Sequence, residues 1–173
     1  AIYDPYLSRL VTIRDLLCHR VGLGTFSGDF IWYKSDLSAE EIINSDVDIV
    51  VIATPGFAHR EYVEKAAAAG KHIICEKPLE VTLERVDKMI SVCQENHVML
   101  AGIFPRRFNE ATREFKKAVE AGRLGKITLA DAYIKWYRTQ EYYDSGYWRG
   151  TWKLDGGGAM MNQSIHTIDL LYY

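Results

Sequence analysis

Asp48-Ile49-Val50-Val51-Ile52-Ala53-Thr54-Pro55-Gly56 is an unbroken apolar run that meets an abrupt stop. Such a run lacks the alternation of a half-wet strand, and its β-branched residues favour a pleated backbone. Residues 48–53 therefore predict a buried strand of a parallel sheet. Pro55 withholds an amide hydrogen and Gly56 permits a turn, so the strand ends there. A helix is expected from about Phe57, with Ala58, Tyr62, Val63 and Ala66 on one face and Gly70 as its stop. His72-Ile73-Ile74-Cys75 reads as the next strand, broken by Pro78. Thr82 can cap a second helix whose apolar positions Leu83, Val86, Met89, Ile90 and Cys93 recur at helical spacing, and Val98-Met99-Leu100-Ala101 predicts a third parallel strand. Strands and helices alternating in this way mark an α/β fold made of βαβ units.

After Phe104-Pro105 the rhythm changes. A helix over 110–121 is expected to pack through Ala111, Phe115, Ala118 and Val119, and residues 127–137 alternate as a strand with one wet face would. Residues 139–158 are aromatic and glycine-rich without periodicity, which predicts a loop. A last helix is expected from near Met160. Residues 1–42 do not join the alternation: Val11 to Leu17 could be helical, and Gly22-x-Gly24-x-x-Ser27 has only the spacing of a dinucleotide fingerprint. No buried strand precedes it, and no acidic residue closes a second strand about 20 residues on.

At 173 residues, 48% hydrophobic and 25% charged, the chain is one domain's worth of ordinary globular sequence, against a prior of roughly 150 residues per domain. Intrinsic disorder is not expected. A net charge of −2 offers no general attraction to nucleic acid or to an anionic membrane. No apolar run approaches the roughly 18 residues that span a bilayer, and the first residues lack the form of a secretory signal, so a soluble cytoplasmic protein is expected. Cys18, Cys75 and Cys93 suggest no disulfide framework, and His72 and Cys75 lack further ligands at metal spacing, so no metal is expected.

Three motifs carry a stronger message. Ile52-Ala53-Thr54-Pro55 with His59, then Glu76-Lys77-Pro78, then Gly156-Gly157-Gly158-Ala159-Met160-Met161-Asn162-Gln163-Ser164-Ile165-His166-Thr167-Ile168-Asp169 follow one another in a characteristic order. Over about residues 43–173 the chain resembles the oxidoreductases typified by glucose-fructose oxidoreductase, inositol dehydrogenase and MocA. The resemblance implies the second half of a Rossmann-like parallel sheet, residues 43–104, followed by the start of an α+β substrate domain, residues 105–173. It also implies NAD or NADP as cofactor and hydride transfer at a hydroxyl of a sugar, cyclitol or similar polyol, and it leaves a homo-oligomer open.

Residues 3–41 resemble something else. Thr12-Ile13-Arg14-Asp15-Leu16-Leu17-Cys18-His19-Arg20 is similar to the stretch after the nucleophile in β-lactamase-like serine hydrolases, and Tyr33-Lys34-Ser35 could echo that family's tyrosine motif or be a polar turn. Yet no lysine stands three residues after a serine, so the activated nucleophile is missing. Residues 1–42 are thus expected to be a hydrolase-like segment joined near Glu41 to Asn44 to a truncated oxidoreductase. With the first βαβ unit absent, cofactor binding is expected to be weak or lost.

Glu76-Lys77-Pro78 follows a parallel strand, at the end where open α/β sheets bind ligands. A lysine there can hold a substrate hydroxyl and favour a developing alkoxide, though a solvated turn would look the same. Asn162, His166 and Asp169 fall at i, i+4 and i+7, on one helical face. His166 is suited to accept an alcohol proton, or is a satisfied polar residue. The resemblance implies Lys77 and His166 as catalytic residues, and Thr54, Pro55, His59, Glu76, Lys77, Trp148 and Arg149 against the cofactor. It implies Arg107, Asn162 and His166 against the substrate. In that family the position of Asn162 is frequently an aspartate; asparagine cannot take a proton, so here it would only orient. The aromatic run from Tyr133 to Trp152 fits sugar stacking or core contact. The competing reading is a non-catalytic fragment that binds a ligand or partner. Incubation with a fluorescent penicillin is expected to leave the chain unlabelled, and covalent labelling abolished by substituting one serine would reverse that expectation.

Overall fold

A computed structural model describes residues 38–44 and 46–173. The hydrolase-like stretch up to residue 37, the Gly22-x-Gly24 loop, Tyr33-Lys34-Ser35 and Cys18 lie outside the described residues. Helix α1 (Ala39–Ile43) opens on a capping box: Ser38 Oγ accepts the Glu41 amide hydrogen at 3.2 Å, and Glu41 Oε2 accepts the Ser38 amide hydrogen at 2.6 Å. Two amides that a helix start leaves without partners are thereby satisfied. Ile43 is buried in the core, and Lys65 pairs with Glu40 at 2.8 Å. The expected join thus falls in a helix that packs on the rest of the fold and on the asparagine that ends it.

Strands β1 (Ile49–Ile52), β2 (His72–Cys75) and β3 (Leu100–Gly102) form a parallel sheet in the order β1-β2-β3. Ile49 lies opposite His72 and Ile52 opposite Cys75; Ile73 lies opposite Leu100 and Cys75 opposite Gly102. Parallel neighbours cannot be joined by a hairpin, so each step needs a crossover. Helices α2 (His59–Ala68) and α3 (Leu83–Glu95) provide them, packing on one another, with α2 also lying on β1 and β2. The register puts Val50 beside Ile73 and Ile52 beside Cys75 on the face that α2 covers with Val63, Ala66 and Ala67, and Met89 and Cys93 of α3 close the cluster. Burying a side chain such as Ile73 contributes about 1.5–3 kcal/mol. Thr82 caps α3, its hydroxyl accepting the Arg85 amide hydrogen. Gly70 ends α2 at φ +72°, backbone that a side chain would strain.

Several expectations need correction. Val51 is 52% exposed, so among the described residues β1 is covered on one face and not on both. On α3 the inward stripe is Met89, Val92 and Cys93, whereas Leu83 and Ile90 point outward, at 83% and 41% exposure. The third strand sits slightly later than expected, because Val98 packs on the core before the ladder begins. On α4 (Glu110–Glu120) Ala111 and Phe115 are exposed, since no described residue covers that stripe. Residues 127–137 form no strand: they have no ladder partner among the described residues, and Leu129, Tyr133 and Tyr137 are exposed. Alternation records a preference for pleated backbone, but a strand also needs a neighbour to receive its amides and carbonyls. The expected loop contains a short helix, α5 (Gln140–Asp144). The last helix is a π turn, Met160–Ser164, continued by α6 (Ile165–Tyr172). No helix among the described residues is long and apolar enough to cross a membrane.

Met89→Ala is expected to cost about 2–5 kcal/mol in denaturant unfolding, as for a methionine deleted from a closed core. Leu83→Ala, one and a half turns earlier on α3, is expected to stay within about 0.5 kcal/mol of the parent.

Candidate functional site

The parallel register brings the carboxyl ends of β1 and β2 level. The Glu76 amide donates to the Ile52 carbonyl at 2.9 Å, so the pairing runs one residue past Cys75, and the turns 53–56 and 76–78 leave the sheet side by side. They touch: a Cβ on Gly56 would stand 3.2 Å from Pro78 Cγ, tighter than ordinary contact. The Lys77–Pro78 peptide bond is cis.

His59 does not face a ligand space. Its ring is completely buried behind the two turns, Nε2 2.6 Å from the Thr54 carbonyl oxygen and Nδ1 2.9 and 3.1 Å from those of Pro78 and Leu79. The structure thus does not place it on the cavity wall with the other expected residues: it is a strut between the turns. Glu80 adds a second tie. Its buried carboxylate accepts the Val81 amide hydrogen and the Arg85 guanidinium, both at 2.6 Å, and the same Arg85 nitrogen donates to the Phe57 carbonyl at 3.0 Å.

Over these turns lies a cavity of about 520 Å³. Thr54, Pro55, Glu76 and Lys77 form one wall, and Trp148, Arg149, Asp155 and Asn162 form another. Lys77 Nζ donates to the Asn162 backbone carbonyl at 2.8 Å and to its side-chain Oδ1 at 3.2 Å, which closes the two walls on each other. Burial pushes the Lys77 ammonium below its ordinary pKa; the Glu76 and Asp155 carboxylates act against that, and the Arg149 charge adds to it. Arg149 is held between rings, 4.5 Å from the Trp148 centroid and 4.6 Å from that of Tyr142, and its Nη1 donates to the Tyr142 hydroxyl at 2.9 Å. Buried Gln163 donates to the same hydroxyl at 3.2 Å.

Seven expected residues thus share one cavity: Thr54, Pro55, Glu76, Lys77, Trp148, Arg149 and Asn162. His166 and Arg107 do not line it. The expected common face of Asn162, His166 and Asp169 assumed 3.6 residues per turn, whereas Met160–Ser164 is a π turn, whose i→i+5 bonding is wider and changes the register. Asn162 is turned toward Lys77, while Asp169 meets Arg107, whose Nε donates to Oδ2 at 2.8 Å and whose Nη2 donates to Oδ1. The Arg107 guanidinium also lies 4.9 Å from the Tyr173 ring centroid. Its donors are directed at the Asp169 carboxylate, so the structure does not bring it to the cavity with the other expected residues. Asp155, Gln163 and Tyr142 were not among the expected site residues. Asp155 immediately precedes the triple glycine and Gln163 follows Asn162, so adjacency to the quoted motif was the one available signal.

Comparison with known proteins agrees with this arrangement. A family model described as "Oxidoreductase family, NAD-binding Rossmann fold" matches residues 1–104, including the first 42 that sequence patterning sets apart, and the GFO/IDH/MocA C-terminal domain model matches residues 112–173. The 1,5-anhydro-D-fructose reductase of Ensifer adhaerens is 33% identical over 141 residues, 81% of this chain and 41% of that protein. The D-xylose 1-dehydrogenase [NADP(+)] of Haloarcula marismortui is 33% identical over 122 residues, 70% of this chain and 34% of that one. Among solved structures, the WlbA dehydrogenase of Bordetella pertussis in complex with NADH and UDP-GlcNAcA superimposes with a TM-score of 0.68 at 39% identity, covering 78% of this chain and 39% of that one. The chain therefore spans about two fifths or less of the length of these relatives.

Asp169 has 7% of its side chain exposed, so removing its partner strands a carboxylate with little water. Arg107→Ala is expected to cost about 1–3 kcal/mol in urea unfolding. A cost under about 0.5 kcal/mol would show that the pair behaves as an ordinary surface contact.

Proposed function

The chain belongs to the GFO/IDH/MocA family of oxidoreductases, and from that premise we propose that it is a nicotinamide-dependent dehydrogenase or reductase of a sugar, cyclitol or similar polyol. One observation carries the reading: Thr54-Pro55, Glu76-Lys77-Pro78, Trp148-Arg149 and Asn162 wall a single cavity at the carboxyl ends of parallel strands. Two relatives named for anhydrofructose reduction and xylose oxidation support the substrate class. A solved relative that holds NADH and a nucleotide sugar supports the cofactor. In this proposal residues 43–104 form the cofactor side and residues 105–173 the substrate side; family-model matches over 1–104 and 112–173 support the break near 104 and do not mark one at 43.

The residues fit NAD or NADP. Thr54 Oγ1 and Arg149 Nε, both on cavity-lining residues, are buried and have no hydrogen-bond partner among the described residues. Buried polar groups without partners are costly, and a ligand rich in oxygen and nitrogen relieves them. Thr54, Pro55, Glu76, Lys77, Trp148 and Arg149 would hold the cofactor, which when bound takes or gives hydride. Lys77 has three N–H donors, two of them given to Asn162, and the third is directed to the substrate oxygen. Its lowered pKa reduces the expense of lending that proton as charge develops. Asn162 orients the ammonium. His166, one turn further along the same helix, accepts the alcohol proton in this proposal.

On sequence pattern alone, residues 1–42 do not show the strand, glycine-rich turn and helix of a pyrophosphate cradle, although the family model matches across them. Losing two or three charge-assisted donors, each worth roughly 1.5–3 kcal/mol, weakens binding by orders of magnitude. Calorimetric titration with NADH and NADPH is expected to give a dissociation constant in the millimolar range. Micromolar binding would instead assign phosphate contacts to Gly22 to Gly28. His166→Ala is expected to lower polyol turnover by about a hundred- to ten-thousand-fold with little change in cofactor affinity, and Lys77→Ala to cost a comparable factor in turnover. Turnover unaffected by Lys77→Ala would overturn the site, and unaffected by His166→Ala would make α6 purely structural.

A further inference from the structure

The proposed site has an amide, Asn162, where the family resemblance leads one to expect a carboxylate. An amide holds no charge and accepts no proton. A carboxylate nevertheless stands directly behind it. Asp155 is 6% exposed, lines the same cavity as Lys77 and Asn162, and accepts through Oδ1 from Asn162 Nδ2 at 3.3 Å and through Oδ2 from the Gly150 amide at 2.8 Å. Its backbone is seated closely: Gly156, the next residue, has φ +64°, and a Cβ there would stand 2.7 Å from Met161 Sδ. Each carboxylate oxygen therefore has one hydrogen-bond donor.

These contacts fix the orientation of the amide. With Nδ2 donating to Asp155, Oδ1 faces the other way and accepts from Lys77 Nζ at 3.2 Å. The reverse orientation would set the amide oxygen against a carboxylate and its N–H₂ against an ammonium, two repulsive contacts in place of two attractive ones. We propose that Asp155 is the positioning carboxylate of this site, holding the Asn162 amide and supplying to Lys77, through it, the negative charge that an aspartate at 162 would place directly beside the ammonium.

The surrounding charges agree in sign. Lys77 is disfavoured as a cation by burial and by Arg149 on the loop after α5, and is favoured by Glu76 on its own turn and by Asp155 on the glycine-rich loop. Asp155 touches neither the reacting hydroxyl nor the cofactor in this account. It acts through Asn162. The inference rests on the proposed role of Lys77 for its functional meaning, but its test reads proton binding and not turnover.

Lysines of the whole chain are labelled biosynthetically with ¹³C and ¹⁵N, which leaves the three N–H donors of Lys77 intact; its signal is identified by its loss in Lys77→Arg, and its titration is followed by NMR. Asp155→Asn keeps an oxygen for the Gly150 amide, and is expected to lower the Lys77 midpoint by about one pH unit. Asp155→Glu is expected to retain most of the parent value. Asn162→Asp added to Asp155→Asn is expected to bring the midpoint back up. A midpoint unmoved by Asp155→Asn overturns the inference, whatever the turnover. Should that variant fail to fold, Asp155→Ser removes the same charge while keeping an oxygen in place: a lowered midpoint supports the inference, and an unchanged one overturns it. Absence of polyol turnover in the parent, with these shifts present, would sink the oxidoreductase reading and leave the role of Asp155 standing.

Discussion

Everything in the candidate site depends on two parallel strands ending at the same level. Ile52 opposite Cys75, extended by the Glu76 amide on the Ile52 carbonyl, makes the turns at 53–56 and 76–78 neighbours. A slip of one residue would invert every side chain of one strand, taking Ile73 and Cys75 out of the core and turning Lys77 away. The hydrophobic face that holds the sheet to α2 and α3 is therefore the same constraint that sets where Lys77 stands. His59 converts the arrangement into a rigid one, because its buried ring spans carbonyl oxygens belonging to both turns. A residue with no place on the cavity wall thus fixes the distance between the two segments that form it.

The parts of this arrangement legible in the sequence are those governed by local rules. β1 and β2 are short apolar runs with hard stops, α3 carries a threonine cap, and α2 ends on a glycine at positive φ; each signal lies within a few residues of the feature it predicts. Features that depend on a distant partner were not legible. His59 is near Thr54-Pro55 in sequence, but only the closed fold shows that it lies behind the turn. Residues 127–137 alternate as a strand should, yet no described strand lies beside them. Asp155 is an unremarkable acidic residue until the π turn brings Asn162 against it.

Helix α6 and the π turn before it are tied to the sheet by two polar contacts at different heights. Asn162 receives Lys77 from the turn after β2, and Asp169 receives Arg107 from the 3₁₀ turn (Pro105–Phe108) after β3. Both anchors come from carboxyl ends of adjacent strands, so the helix lies across the edge of the sheet where a ligand would enter. A regular α-helix would present positions 162, 166 and 169 on one face. The wider turn separates them, giving the first to the cavity and the last to the arginine. The Arg107–Asp169 tie is an ion pair partly shielded from water, which loses more when one partner is removed than it contributes beyond a well-packed apolar pair, and the Lys77 tie joins an ammonium to a neutral amide. Their value lies in geometry: they fix the height and rotation of a helix that little apolar surface holds in place, with Ile168 and Leu171 still 42% and 55% exposed. The position of the Asn162 amide, and with it the direction of the Lys77 ammonium, is consequently set by polar contacts on one side and by the hydrophobic sheet on the other.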